Sequence, residues 1–383
     1  MRTRLRRRNR LKRLFPGLFL AAALPVTAWL LFKAVPGLSG YAVKAGIVSA
    51  GLLLPEGGLA LLQGEREVSE EPASSVPEPV VTVSLPEESE EPIEPPSSEA
   101  ESSVLPAEPE PDPEIPEEYQ ATLLHKTYTA PSSSIYIPLK NGYVKNCTSV
   151  SREEILKRAS ELPAFSLSDT DEPQVLIMHT HTTESYMPFR GDLYDTRTSF
   201  RTTDNRQNMV AVGNRIEEEL KAAGIGVLHD VTQHDYPSYN GSYQRSRKTV
   251  EQYLAEYPSI RVVLDIHRDA IVSGDTVTAP SAEIEGKSAA QIMIISGCDD
   301  GTMDYPNYGE NLQFSIALQE QLEGMYPGLT RPILFDYRLY NQDLTTGSIL
   351  IEVGGHGNTL EEACYSGELI GKGLSELLEG LKK

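Results

Sequence analysis

Cysteine is scarce in this chain, and one long stretch of it has no basic residue. The three cysteines, Cys147, Cys298 and Cys364, are odd in number and widely spaced. That spacing excludes a disulfide framework and a zinc ribbon, so each reads as a small buried hydrophobe. Residues 67–118 hold 17 acidic residues and no Lys or Arg. Rich in Glu, Pro and Ser, this stretch cannot bury enough apolar surface to offset its ordering entropy, and it is expected to be a disordered, extended tether. It carries most of the formal net charge of −21, which therefore says little about the folded part. The basic run at residues 1–13 directly precedes an apolar stretch, and nothing in the pattern points to nucleic acid.

Residues 14–32 are uncharged, rich in Leu and Ala, and contain the sole tryptophan, Trp29. They are expected to form a membrane anchor, with the basic tail (1–13) held in the cytoplasm and everything later outside. The length of the span, the central Pro25 and the flank at Phe32 and Lys33 favour a retained anchor over a cleaved signal peptide. Residues 33–66 are apolar and Gly-rich, but Lys44, Pro55, Glu56 and the pair Gly57–Gly58 interrupt them, so a membrane-hugging segment is expected there instead of a second span. Residues 119–172 come after the tether. A short strand is expected at SIYIP (134–138), and SREEILKR (151–158) opens a helix with a capping box; the stretch reads as an arm packed on the main domain.

From residue 173 to 383 the pattern alternates strand and helix. Apolar Met209, Val212, Ile216 and Leu220 recur at helical spacing and stop at Gly224. Further helices are expected at 243–257, 310–326 and 361–381, and strands in the apolar run of 175–185 and at 226–230, 261–267, 290–296 and 348–354. This alternation predicts an α/β fold with a mostly parallel or mixed sheet flanked by helices in three layers.

Three of these apolar runs end in chemistry. VLIMHTHTTES (175–185) ends in His179, His181 and Glu184, RVVLDIH (261–267) ends in Asp265 and His267 followed by Arg268 and Asp269, and Glu352 lies inside ILIEV (349–353). In a parallel sheet the carboxyl ends of different strands lie side by side and bind ligands there. Two histidines and one carboxylate are the usual protein share of a catalytic zinc site, which His181, Glu184 and His267 would supply. Glu352 is then the natural general base. Its bland reading is a buried salt bridge, for instance to Arg268. Arg268 could polarise a scissile carbonyl, or merely pair with Asp265 or Asp269. Two choices stay open. His179, which strand alternation puts on the same side as His181, could be the ligand instead, and Asp204 could replace Glu184, although an Asp at a helix entry is more often a cap. His125, His229, His234 and His356 read as hydrogen-bonded, rim or exposed positions. The stretch HDYPSYNGSY (234–243) offers aromatic faces and hydrogen bonds that suit a sugar or peptide groove, or else a well-ordered turn.

Five ordered motifs, HTHTTESY (179–186), HDYPSYNGSY (234–243), VLDIHRDA (263–270), YNQD (340–343) and IEVGGHGNTLEEA (351–363), together resemble the stage II sporulation protein P family of endospore-forming bacteria. The basic anchor and acidic linker also suit that family's layout. The one local departure is Gly355-His356-Gly357, where a bulkier residue is expected in place of one glycine. The resemblance implies a zinc-dependent cell-wall hydrolase, akin in fold to the N-acetylmuramoyl-L-alanine amidases, that removes stem peptides from peptidoglycan and also cuts peptide cross-links. It further implies work at the septal membrane of the mother cell during engulfment, together with stage II sporulation proteins D and M. It places essential roles on His267, Glu352 and one or both of His179 and His181. Two other functions compete: a zinc carboxypeptidase or endopeptidase on stem peptides alone, and a wall-binding module without catalysis, which would have no need of Glu352.

Overall fold

The computed structural model of the chain describes residues 115–383 apart from Ser199. The expected tail (1–13), anchor (14–32), apolar segment (33–66) and all but the end of the linker (67–118) lie outside the described residues. Among the described residues no helix is long and apolar enough to cross a membrane.

The central sheet grows from the apolar runs. Strands β4 (Val175–Met178), β7 (Val262–Asp269) and β13 (Gly347–Gly355) are buried along their whole length, as strands covered on both faces must be. They lie parallel, with β7 between the other two, and β6 (Val227–His229) extends the sheet beyond β4. On the far side β13 pairs antiparallel with β11 (Ile292–Cys298). Then come β12 (Ile333–Tyr337), β3 (Tyr143–Asn146) and the edge strand β2 (Tyr136–Pro138). The sheet is therefore mixed and mostly parallel, in the order β2-β3-β12-β11-β13-β7-β4-β6.

Strand alternation divides the side chains between two helical layers. Val175, Ile177, Leu264, Ile266 and Ile351 enter the main core beneath α2 (Met209–Ala222), α4 (Tyr308–Met325) and α5 (Leu360–Glu379). Leu176, Met178 and Val263 point the other way and meet Val250 of α3 (Ser242–Glu256). The helix starts are chemically marked. Ser151 caps α1 (Arg152–Ala159), Asn208 caps α2, and Thr359 with Glu362 forms a capping box on α5.

A second sheet was not anticipated. It runs β10 (Lys287–Ala290), β9 (Thr276–Ile284), β1 (Gln120–Lys126), β5 (Leu193–Asp195), with β8 (Val272–Ser273) paired to β9. Leu123, Tyr194 and Val277 form its core. Residues 119–172, read from the sequence as an arm, are instead woven into both sheets: β1 lies inside the second, and β2 with β3 forms the edge of the first. The described residues belong to one compact unit.

Candidate active site

The chemistry gathers at the carboxyl ends of β4, β7 and β13, on the face covered by α3. Asp265 and His267 share the face of Val263, because residues two apart on a strand point the same way. Parallel register sets Glu352 of β13 opposite His267 of β7, so the two side chains are neighbours on adjacent strands. Immediately afterwards the register slips, since Gly355 pairs with Asp269. The slip turns at Gly354, whose φ of 65° is left-handed, and a Cβ there would stand 2.6 Å from Asn358 Oδ1. A bulge at this point ends the regular ladder just past Glu352.

His267 is held from behind. Its Nε2 stands 2.8 Å from Asp265 Oδ1, and its Nδ1 is 3.8 Å from Glu184 Oε2. Asp265 also accepts from the Thr180 amide at 2.8 Å and from Thr180 Oγ1 at 2.7 Å. Burial opposes ionisation of the His267 ring, but the charge and hydrogen bond of Asp265, with Glu184 and Glu352 behind, outweigh it and raise its pKa to about 10. The same contacts, against the opposing cost of burial, keep Asp265 below the ordinary carboxylate range.

His181 faces this group. Its ring is edge-on to His267 at 5.2 Å between centroids, stacks on Tyr239 at 4.6 Å and is edge-on to Tyr243 at 5.5 Å. Glu184 accepts from the Arg268 amide at 3.2 Å and lies 3.6 Å from Arg201 Nη2. Arg201 in turn pairs with Asp235, caps the Tyr239 ring at 4.8 Å and has a side chain 37% exposed, so this end of the cluster is within reach of solvent.

Several sequence expectations change here. Alternation was expected to keep His179 with His181, but β4 ends at Met178, and the turn through 179–183 separates them. His179 stays on the α2 side, its Nδ1 at 3.0 Å from the Ile266 carbonyl and its Nε2 at 2.8 Å from His229 Nε2. Gly213 of α2 leaves the room for this pair, since a Cβ there would be 2.5 Å from His229. Burial and the neighbouring His229 lower the His179 pKa to about 3, so it is a neutral, hydrogen-bonded packing residue. Arg268, expected as a catalytic group, lies on the face opposite His267. Its Nε donates to the Ser185 carbonyl at 3.0 Å and its Nη2 to the Phe200 carbonyl at 2.8 Å. It positions the segment that carries Glu184, with its Nη1 4.0 Å from Glu184 Oε1. Asp204 pairs with Arg206 at 2.8 Å in its own loop, and the cap of α2 is Asn208.

Reasoning from sequence missed the roles of Asp265, Tyr239, Arg201 and Asp235. Asp265 carried a usable signal, its i, i+2 spacing from His267 on a strand; the others are joined only by the fold. Asn341 shows the same: its side-chain amide donates to the Tyr243 carbonyl at 3.0 Å and Ser246 Oγ at 3.1 Å, and Ser246 bonds Thr180 at 2.8 Å. The YNQD stretch is thereby linked to Asp265.

Among the described residues no three His, Cys, Asp or Glu side chains close on a ready-made metal site. The donor chemistry of His181, Glu184 and His267, two imidazoles and a carboxylate, nonetheless suits a borderline cation such as zinc. Asp265 behind His267 stands where an outer carboxylate would orient a ligating imidazole.

The family sequence model described as "Stage II sporulation protein P (SpoIIP)" matches residues 63–375. The stage II sporulation protein P of Bacillus subtilis strain 168 is 33% identical over an alignment of 205 positions, which covers 50% of this chain and 48% of that protein. The match thus spans about half the length of that curated relative. Among solved structures, the CwlD amidase of Clostridioides difficile in complex with the GerS lipoprotein is 14% identical, with a TM-score of 0.33, over 54% of this chain and 99% of its own. The catalytic domain of CwlV, an N-acetylmuramoyl-L-alanine amidase from Bacillus (Paenibacillus) polymyxa var. colistinus, gives 14%, 0.33, 54% and 98%. With the family model covering most of its length, the chain belongs to the stage II sporulation protein P family.

Proposed function

We propose that this chain is a membrane-anchored peptidoglycan hydrolase of sporulation. It cleaves the amide between N-acetylmuramic acid and the L-Ala of the stem peptide, and also cuts peptide cross-links. It acts at the septal and engulfing membrane of the mother cell, with its catalytic part outside the cytoplasm and with stage II sporulation proteins D and M as partners. The observation that carries the reading is the register that sets Glu352 beside His267, with His181 and Glu184 around them.

His181, Glu184 and His267 would hold zinc. When bound there, zinc supplies positive charge that polarises the amide carbonyl and acidifies water. Glu352 takes the proton from the attacking water and delivers it to the leaving nitrogen. The C–N bond breaks, leaving the lactyl carboxylate on the sugar and a free amino group on the peptide. Asp265 keeps the His267 ring in one tautomer and orientation. Arg201, paired with Asp235 and beside Glu184, holds that carboxylate in place.

The test is hydrolysis of purified peptidoglycan by the chain, with zinc and with chelator, beside Glu352→Gln, with products identified by mass spectrometry. Zinc-dependent release of intact stem peptides is expected, with activity lost by about 10²- to 10⁴-fold in the variant while metal content is kept. Release of trimmed peptides alone would make the chain a peptidase, and activity indifferent to chelator and variant would refute the site.

A further inference from the structure

Beside the candidate active site lies a cavity of about 480 Å³ that the hydrolytic reaction does not use. Tyr243, Arg247, Met303, Asp304, Leu339 and Tyr340 are among the residues that line it. It is joined to the site by a row of rings: Tyr243 is edge-on to His181 and stacks on Tyr340 at 5.2 Å and 22°. Its volume falls in the range of small-ligand pockets, about 300–1,000 Å³.

Left-handed backbone is concentrated in the cavity wall. Among the described residues four non-glycine residues have left-handed φ, and three of them, Asp304 (55°), Tyr340 (44°) and Asn341 (57°), line this cavity. Asp and Asn accept such backbone readily, whereas at Tyr340 it is a strain that persists where surrounding contacts over-determine it. Those contacts are present. Asn341 is tied to α3 through the Tyr243 carbonyl, and Arg338 holds Tyr340 by a hydrogen bond to its hydroxyl and by a guanidinium 5.6 Å from its ring. Arg247 and Asp343 form a two-pronged pair at 2.8 and 2.7 Å, which presents fixed planar polar groups beside the aromatic faces.

We propose that this cavity is a saccharide subsite, which seats an N-acetylated amino sugar of the glycan strand next to the scissile bond. Fixed aromatic faces suit the apolar face of a pyranose ring, and paired carboxylate and guanidinium groups suit its hydroxyls. The charges around the cavity balance, with Asp304 and Asp343 against Arg247 in the lining and Arg338 on the Tyr340 ring, which suits a neutral sugar. The choice of ligand rests on the amidase reading of the neighbouring site.

The test measures binding of a peptide-free N-acetylglucosamine tetramer to the full chain by calorimetry, with the free stem tetrapeptide as the second probe. The tetramer lacks the scissile amide, so its binding reports on the subsite whether or not the chain hydrolyses peptidoglycan. Tyr340→Asn removes the ring while an Asn accepts left-handed backbone, and it should weaken tetramer binding about tenfold while leaving the tetrapeptide unaffected. Tyr340→Phe should bind as the wild type does. Saturation-transfer NMR on the wild-type chain, which needs no variant, should mark the sugar ring and acetyl protons. Absence of tetramer binding to the wild type, equal binding by Tyr340→Asn, or loss of the tetrapeptide instead of the tetramer would overturn the proposal.

Discussion

Asp265 offers the sharpest test of how the pocket is held. The residue is 5% exposed, and its carboxylate accepts twice from Thr180 and stands 2.8 Å from His267 Nε2. Asp265→Asn can keep an acceptor oxygen at the Oδ1 position, where the Thr180 amide and the His267 ring both converge, so it removes charge with little change of shape. Asp265→Ala removes all three contacts and strands a buried imidazole. Breaking a buried charged pair by deleting one partner costs about 3–5 kcal/mol, so the alanine variant should lose that much stability without metal, and the asparagine variant a smaller part. Loss of an outer carboxylate typically weakens metal binding by about 10- to 100-fold, with asparagine expected at the low end and alanine at the high end. Denaturant unfolding of chelator-treated protein and zinc competition against a fluorescent chelator would read the two effects separately. If Asp265→Ala unfolds at the wild-type midpoint and holds zinc as tightly, then the Asp265–His267 pair neither stabilises the fold nor orients the ring, and the reasoning fails.

Two further changes probe the frame around the site. Gly354→Ala places a Cβ 2.6 Å from Asn358 Oδ1 and 2.7 Å from Ala290 Cβ on left-handed backbone; it should cost at least about 1–2 kcal/mol, seen as a lowered melting temperature, and an unchanged melt would show that the bulge relaxes freely. His356 is buried against Phe200 and Tyr194, and burial, aided by the charge of Arg268, lowers its pKa to about 3. Between its ordinary value near 6.5 and about 3, the unfolded chain therefore binds a proton that the folded chain refuses. Stability present above pH 6.5 is lost as pH falls through that window, at up to about 1.4 kcal/mol per pH unit for this one group. His356→Gln should flatten the acid limb of a melting-temperature profile in part, since His179 acts in the same direction, and an identical acid limb would refute the assignment.

Much of the architecture was legible because hydrophobic periodicity reports burial. The runs at 175–178, 261–267 and 348–354 are strands covered on both faces, and the spacing from Met209 to Leu220 is a helix face. The second sheet was not legible. Its strands β1 and β9 are far apart in sequence, with Thr122 opposite Thr276, and β5 has three residues, too short to show a period. The central sheet hid one reversal as well, because the antiparallel pairing of β11 with β13 leaves no mark in either run.

What the sequence by itself determined is where chemistry meets the core: apolar runs that lead to His181, Glu184 and His267 or enclose Glu352 must give those side chains polar partners, since burying them unpartnered is too costly. The tertiary structure decided which of them meet. Register set Glu352 beside His267, the end of β4 at Met178 parted His181 from His179, and alternation sent Arg268 to the far face. These outcomes depend on where each strand starts, stops and slips against its neighbour. A one-residue change there moves a side chain to the opposite side of the sheet while leaving the local hydrophobic pattern the same.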